Sequence, residues 1–354
     1  MFRKRSSERL SWIACALAMT SVAMAADEPR ELLERMNTAL TTRNYDGTFS
    51  HWQGGKVEML RIIHRVQGTE VRERLVSLDG SGREFIRTGT ELACYLPDRR
   101  TVLVEKRQEQ EQGPLLGSFP TFDSNTTGFY KIEELKRTRF NRRDTRVIAV
   151  APKDEYRYGY RLWIDESTAM PLKTQLCDGQ GRVIEQIVFS SLTLSERIPD
   201  DAFKPEVSTE GFQWLRNETG PGRQSAIASA GWSALSLPPG FRMSGRSSQV
   251  MPGSRDPVAH LVFTDGLASV SVFVESRSSK PRPPEEAQQD PAAGTASVGS
   301  SSAFSTVIDG HKVTAVGEVP PATVKFIANS VKARGTSSSS NSSPAVSAPA
   351  LSPR

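Results

Sequence analysis

Val57-Glu58-Met59-Leu60-Arg61-Ile62-Ile63-His64-Arg65-Val66 is the stretch that decides how this chain folds. Leu60, Ile62 and Val66 fall on one face of an extended strand, and Arg61 and Arg65 on the other. A sheet with one wet face and one apolar face must cover the apolar side with a second layer. The period of two extends on both sides of this stretch. It recurs in Phe49–Trp52, Val71–Leu78, Glu84–Arg87, Glu91–Leu96 and Thr101–Glu105. Hairpin-type connections separate these runs: Gln53-Gly54-Gly55, Gln67-Gly68-Thr69, Asp79-Gly80-Ser81-Gly82, Thr88-Gly89-Thr90 and Pro97-Asp98-Arg99-Arg100. The pattern predicts an antiparallel meander. Tyr45-Asp46-Gly47-Thr48 reads as the turn that enters it.

Two segments are available to cover the apolar face. Residues 29–43 predict a helix, with Asp27 as its cap, Pro29 in its first turn, and Leu32, Leu33, Met36 and Leu40 on one side. The segment near 128–138 is the second. Between the strands, residues 106–127 form a long connection carrying Leu115, Leu116, Phe119 and Phe122. Such a loop is either a lid over an apolar cavity or a plug for the sheet. Strands resume at Thr145–Ala151, Tyr156–Asp165, Pro171–Cys177 and Arg182–Leu194, and Pro199–Phe203 closes the first domain.

Residues 205–231 are rich in Gly, Ser, Thr and Asn and read as a linker. A smaller unit follows over 232–334. It has strands at His260–Thr264, Leu267–Glu275, Ala303–Ile308 and His311–Gly317, a loop over 276–302, and a last helix from Pro320-Pro321 to Lys332. Residues 335–354 are a Ser-rich tail expected to lack structure. The fold class is thus α+β, mostly antiparallel β, with a large domain over 27–204.

Residues 1–26 read as a signal peptide: Arg3, Lys4, Arg5 and Arg9, then an apolar run, then Ala23-Met24-Ala25. The rival, lipidation at Cys15, fails because the apolar run continues well past that residue. The chain has 45 basic and 40 acidic residues; without the first 26 it has 41 and 39, which leaves no nucleic-acid footprint. Cys94 and Cys177 remain, and they read equally as one disulfide or as two unpaired thiols on different strands.

The residues do not compose a catalytic centre. No nucleophile elbow, zinc-protease motif, P-loop or dinucleotide fingerprint occurs. His51, His64, His260 and His311 lie at no metal-ligand spacing. Asp200-Asp201 reads as a turn pair. The expectation is a binding protein with no cofactor and no metal.

Several motifs then carry a resemblance. They are Tyr45-Asp46-Gly47-Thr48-Phe49, Glu73-Arg74-Leu75 with Leu78-Asp79-Gly80, Tyr158–Asp165, Met170-Pro171-Leu172-Lys173 and Gly181–Gln186. In the second unit they are Leu235, Pro238, Gly240 and Phe241, Thr264-Asp265-Gly266-Leu267, and Val316–Pro321. In order and spacing the chain resembles the RseB/MucB family, bacterial periplasmic regulators of the sigma-E envelope-stress pathway. The resemblance implies a large domain like the lipoprotein carriers LolA and LolB, an unclosed curved barrel with helices against its concave face, plus a small sheet-and-helix domain. It also implies a periplasmic location and binding to the periplasmic domain of an RseA/MucA-like anti-sigma factor. That grip shields the factor from site-one proteolysis, with lipid or lipopolysaccharide as the releasing signal. A carrier of lipid or lipoprotein is the alternative, and a homodimer is a further partner to consider.

Two sets of candidate residues follow. Leu60, Ile62, Leu115, Leu116, Phe119 and Phe122 are expected to line or cover a lipid pocket. Phe263, Phe273 and Val316 are candidate anchors for the protein partner, against the alternative that they form the small domain's own core.

Overall fold

The computed structural model describes residues 21–106, 115, 120, 122, 128–217, 231–250, 257–276 and 294–333. The expected signal peptide, apart from its last residues, and the Ser-rich tail lie outside them. A helix, α1 (Ser21–Thr42), opens the described chain. Twelve strands follow: β1 (Tyr45–Gln53), β2 (Lys56–Gln67), β3 (Glu70–Ser77), β4 (Glu84–Arg87), β5 (Glu91–Leu96), β6 (Thr101–Lys106), β7 (Tyr130–Phe140), β8 (Arg143–Pro152), β9 (Gly159–Asp165), β10 (Pro171–Cys177), β11 (Val183–Leu194) and β12 (Gln213–Asn217). They form one sheet in the order β12-β6-β5-β4-β3-β2-β1-β11-β10-β9-β8-β7. Its end strands, β12 and β7, do not pair, so the sheet is unclosed. All neighbours are antiparallel except β12 on β6.

The apolar face wraps α1. Leu32, Leu33, Met36 and Leu40 pack with Tyr45, Phe49, Ile62, Ile148, Leu162 and Phe189 from both halves of the sheet. Each such Leu or Met contributes roughly 1.5–3 kcal/mol on burial. The expected helix face is therefore the one buried. The helix itself runs further back than expected, through Asp27 and Pro29, so neither caps nor starts it in the uncut chain. Cleavage after Ala25 or Ala26 would return both to the first turn.

Three other expectations change. Tyr45–Thr48 is not a turn but the start of β1. Gly47 is there because a Cβ at that point would meet the Phe189 ring at 2.7 Å. The segment near 128–138 does not cover the sheet; it is β7, an end strand of it. Residues 213–217, read as linker, form β12. Val207 and Phe212 pack beneath it against Ile86, Tyr95, Val102 and Val104, on the face away from α1. Cys94 on β5 and Cys177 on β10 are free thiols. Five strands lie between theirs in the sheet. At about 4.8 Å per strand they are far beyond the ~7 Å limit for a disulfide.

The small domain has a second sheet, β14 (Arg242–Val250), β15 (Pro257–Thr264), β16 (Ser269–Ser276), β19 (His311–Gly317), β18 (Ser301–Ile308) and β17 (Gly294–Val298), in that order. The helix α2 (Pro321–Ser330) covers one face, burying Val324 and Ile327 on Leu261, Phe263, Val272 and Val313. A short pair, β13 (Trp232–Ala234) with β20 (Val331–Ala333), closes the unit. The sequence reading missed β14. It also placed β17 inside a loop, since Gly294-Thr295-Ala296-Ser297-Val298 carries no alternation of apolar and polar residues.

Candidate functional site

The two sheets meet at a seam, and its first joint is a buried ion pair. Arg157 sits in the β8–β9 connection and Asp265 in the β15–β16 turn. The Arg157 Nη1–H donates to Asp265 Oδ2 at 2.8 Å, and both side chains are fully buried. The Tyr130 hydroxyl donates to the same oxygen at 3.0 Å. Arg157 also donates to Asp154 Oδ1 and to the Pro239 carbonyl. Its guanidinium lies over the rings of Phe129, Tyr130 and Phe241 at 4.9, 5.5 and 5.4 Å. Burial, then the Asp265 charge, pushes the Tyr130 phenol well above its ordinary pKa. Asp265 Oδ1 accepts the Leu267 and Ala268 N–H groups, which fixes the turn. That turn carries Leu267 against the large domain's core. Nearby, Thr323 donates to the Tyr156 carbonyl at 2.7 Å and Phe326 packs edge-on to Tyr156.

A second joint is polar and small. The Ser300 hydroxyl, from the β17–β18 turn, donates to Glu185 Oε2 at 2.7 Å. Gln53 donates to Ser300 Oγ at 2.6 Å and to Glu185 Oε2 at 3.1 Å. His51 Nε2 meets Glu185 Oε1 at 2.9 Å, and that bond raises the His51 pKa. A Cβ on Gly299 would meet Gln53 Cγ at 2.5 Å, so the turn fits only as glycine.

The lipid-pocket candidates lie on the α1 side of the large sheet. Ile62 and Phe122 are buried in its core, and Leu60 and Leu115 pack against it. Leu116 and Phe119 lie outside the described residues. Among the described residues, polar contacts hold the connection at two points: the Leu115 N–H donates to Glu73 Oε2 at 2.8 Å, and at Phe122 the carbonyl accepts from Asn37 Nδ2 at 2.6 Å while the N–H donates to Asn37 Oδ1 at 3.4 Å. Glu73 is buried and also meets Arg87 at 3.2 Å. Beside it His64 stacks on Tyr45, and its Nδ1–H donates to the Arg43 carbonyl at 2.9 Å. Burial lowers the His64 pKa to about 4.

The sequence reading missed how far this apolar surface extends. Ile62, Leu75, Phe85, Cys94, Leu103 and Leu215 pair in one row across six strands, and so share one face. Ile62 is buried, Leu75, Phe85 and Cys94 are half-buried, and Leu103 and Leu215 are exposed. Only the strand register, which sequence does not reveal, joins them.

Of the partner anchors, Phe263 is corrected: it is 1% exposed, in the small domain's own core. Phe273 and Val316 lie on the opposite face, away from α2. Phe273 stacks on His260 with ring centroids 4.5 Å apart, and Val316 is exposed.

Comparison with known proteins bears on this two-sheet arrangement. The family model described as the MucB/RseB N-terminal domain matches residues 28–207, and that of the MucB/RseB C-terminal domain matches residues 226–332. A protein named sigma factor AlgU regulatory protein MucB, from Pseudomonas aeruginosa, is 29% identical over 89% of this chain and 94% of its own. One named sigma-E factor regulatory protein RseB, from Salmonella typhimurium, is 28% identical over 92% of this chain and 97% of its own. The solved complex of Pseudomonas aeruginosa MucA and MucB contains a chain that matches 87% of this one and 99% of its own, at 26% identity and a TM-score of 0.68. A crystal structure of MucB matches 87% of this chain and 98% of its own at 27% identity and a TM-score of 0.56. With both domain models matched in order on the two sheets described above, the chain belongs to the MucB/RseB family.

Proposed function

We propose that this chain is a periplasmic regulator that grips the periplasmic part of a membrane anti-sigma factor of the MucA/RseA kind. It acts by binding and carries out no catalysis. The observation that carries the reading is the match along both domains to a MucB solved in complex with MucA. Holding the anti-sigma segment keeps it from the site-one protease. The outer face of the small sheet, with Phe273 and Val316, supplies apolar anchors for that segment, rimmed by polar side chains such as Lys312. Titration of the mature chain with the periplasmic segment of its own anti-sigma factor tests this. Saturable binding and slowed cleavage of the segment are expected. An absence of binding with the folded protein overturns the reading.

The row from Ile62 to Leu215 favours a lipid as the releasing signal. An acyl chain laid along it gains about 0.8 kcal/mol per buried CH2 and needs no charged group. A carrier in the manner of LolA or LolB would use the same face. The discriminator is Leu267, which ties the small domain into the large domain's core; a simple carrier has no need of it. Acyl probes that bind but leave the anti-sigma complex intact would favour the carrier.

A further inference from the structure

The two joints of the seam differ in what happens when they part. At the first, Arg157 and Asp265 are fully buried among Phe129, Tyr130 and Phe241. A motion too small to admit water would leave the Asp265 carboxylate without a cation in an apolar shell, and Arg157 with Asp154 alone, which is unfavourable. A larger motion would expose Leu267 and the Tyr156–Phe326 contact to water. This joint resists both.

At the second joint Ser300 reaches a carboxylate across the seam, and Ser302 meets Tyr158 beside it. If Ser300 leaves, Glu185 keeps Gln53 and His51 as donors within its own domain. The Glu185 carboxylate stays paired, and water replaces the departing hydroxyls. The small domain also brings Glu318 toward this point, and its partial burial followed by the Glu185 charge raises its pKa. His51, across the same joint, acts on Glu318 in the opposite sense. The two joints share one end of the large sheet. Glu185 pairs with Leu176 and Leu176 with Tyr160, three residues on from Arg157. Two strand spacings, about 10 Å, separate those rows.

We propose that the seam is a hinge and a latch: the Gly299-Ser300 turn releases from Gln53 and Glu185 while the Asp265–Leu267 turn stays seated and serves as the pivot. The small domain thus swings in one direction only, opening the side that faces the β1–β2 hairpin.

Spin labels on the full mature chain test this, in a C94A background with Cys177 buried. One pair, at Val57→Cys and Val298→Cys, reports the latch side. A second, at Lys131→Cys and Leu235→Cys, reports the hinge side. These four residues are exposed. Ser300→Ala, and separately Gln53→Ala, should lengthen and broaden the latch-side distances while the hinge-side distances stay unchanged. Movement of both pairs, of the hinge pair alone, or of neither pair in both variants overturns the proposal.

Discussion

Arg157 and Asp265 lie 108 residues apart in sequence, in connections of different sheets, and meet with neither side chain exposed to solvent. Removing one member leaves the other charge buried. Because Arg157 keeps Asp154, Asp265→Ala should cost at or below the low end of the roughly 3–5 kcal/mol of a fully broken buried pair. It should also uncouple the domains, so that chemical denaturation shows two transitions in place of one. A single transition at the wild-type midpoint would show that the pair is not the bond between the sheets.

His64 is held neutral by burial, with its pKa lowered from 6.5 to about 4. The unfolded chain takes up a proton there first. Its contribution to stability is therefore complete above pH 6.5 and is lost as the pH falls to about 4. Urea unfolding at pH 7 and pH 5 should show a wild-type loss that His64→Phe reduces. Equal losses in both proteins would assign the acid sensitivity elsewhere.

Gly47→Ala would drive a methyl group into the Phe189 ring. The expected cost is roughly 1–3 kcal/mol, the usual range for overpacking. Thermal unfolding reads it directly. Pairing the change with Phe189→Leu should recover part of the loss.

Both Cys94 and Cys177 should titrate as thiols in the denatured, unreduced mature protein. In the native protein both should react slowly, because burial raises the pKa of each. A bridged pair in protein purified from the periplasm would contradict the strand order.

Leu215 is 44% exposed on the apolar row, at β12 on the sheet's end. Leu215→Glu should change stability by less than about 0.5 kcal/mol. If the row holds acyl chains, the same change should weaken binding of a fluorescent fatty acid several-fold. Unchanged binding would place the lipid away from this end of the sheet.

Strand pattern and turn residues made most of the large sheet legible, because its alternation is strong and its hairpins are short. Tyr45–Thr48 was misread because Gly47 looks like a turn residue when the Phe189 ring above it is unknown. Helix α1 was read correctly from the spacing of Leu32, Leu33, Met36 and Leu40. The seam was invisible for a different reason. Arg157 and Asp265 each look like ordinary loop charges, and nothing local shows that they meet. Phe263 and Phe273 are ten residues apart on adjacent strands, and only the position of α2 decides which is core. The apolar row failed to appear because it runs across strands, where no window along the chain can collect it.

The pairing of β1 with β11 has a consequence for how the polypeptide is made. Phe49 lies opposite Phe189, while β2 to β6 stack locally on the other side of β1. A chain exported unfolded, N-terminus first, can complete that local meander before β11 has crossed the membrane. Until then β1 offers an open edge, with Phe49 lacking its Phe189 neighbour. Such an edge is a template for pairing with another nascent chain. Folding of this protein should therefore depend on a holding chaperone during the interval between the emergence of Phe49 and that of Phe189.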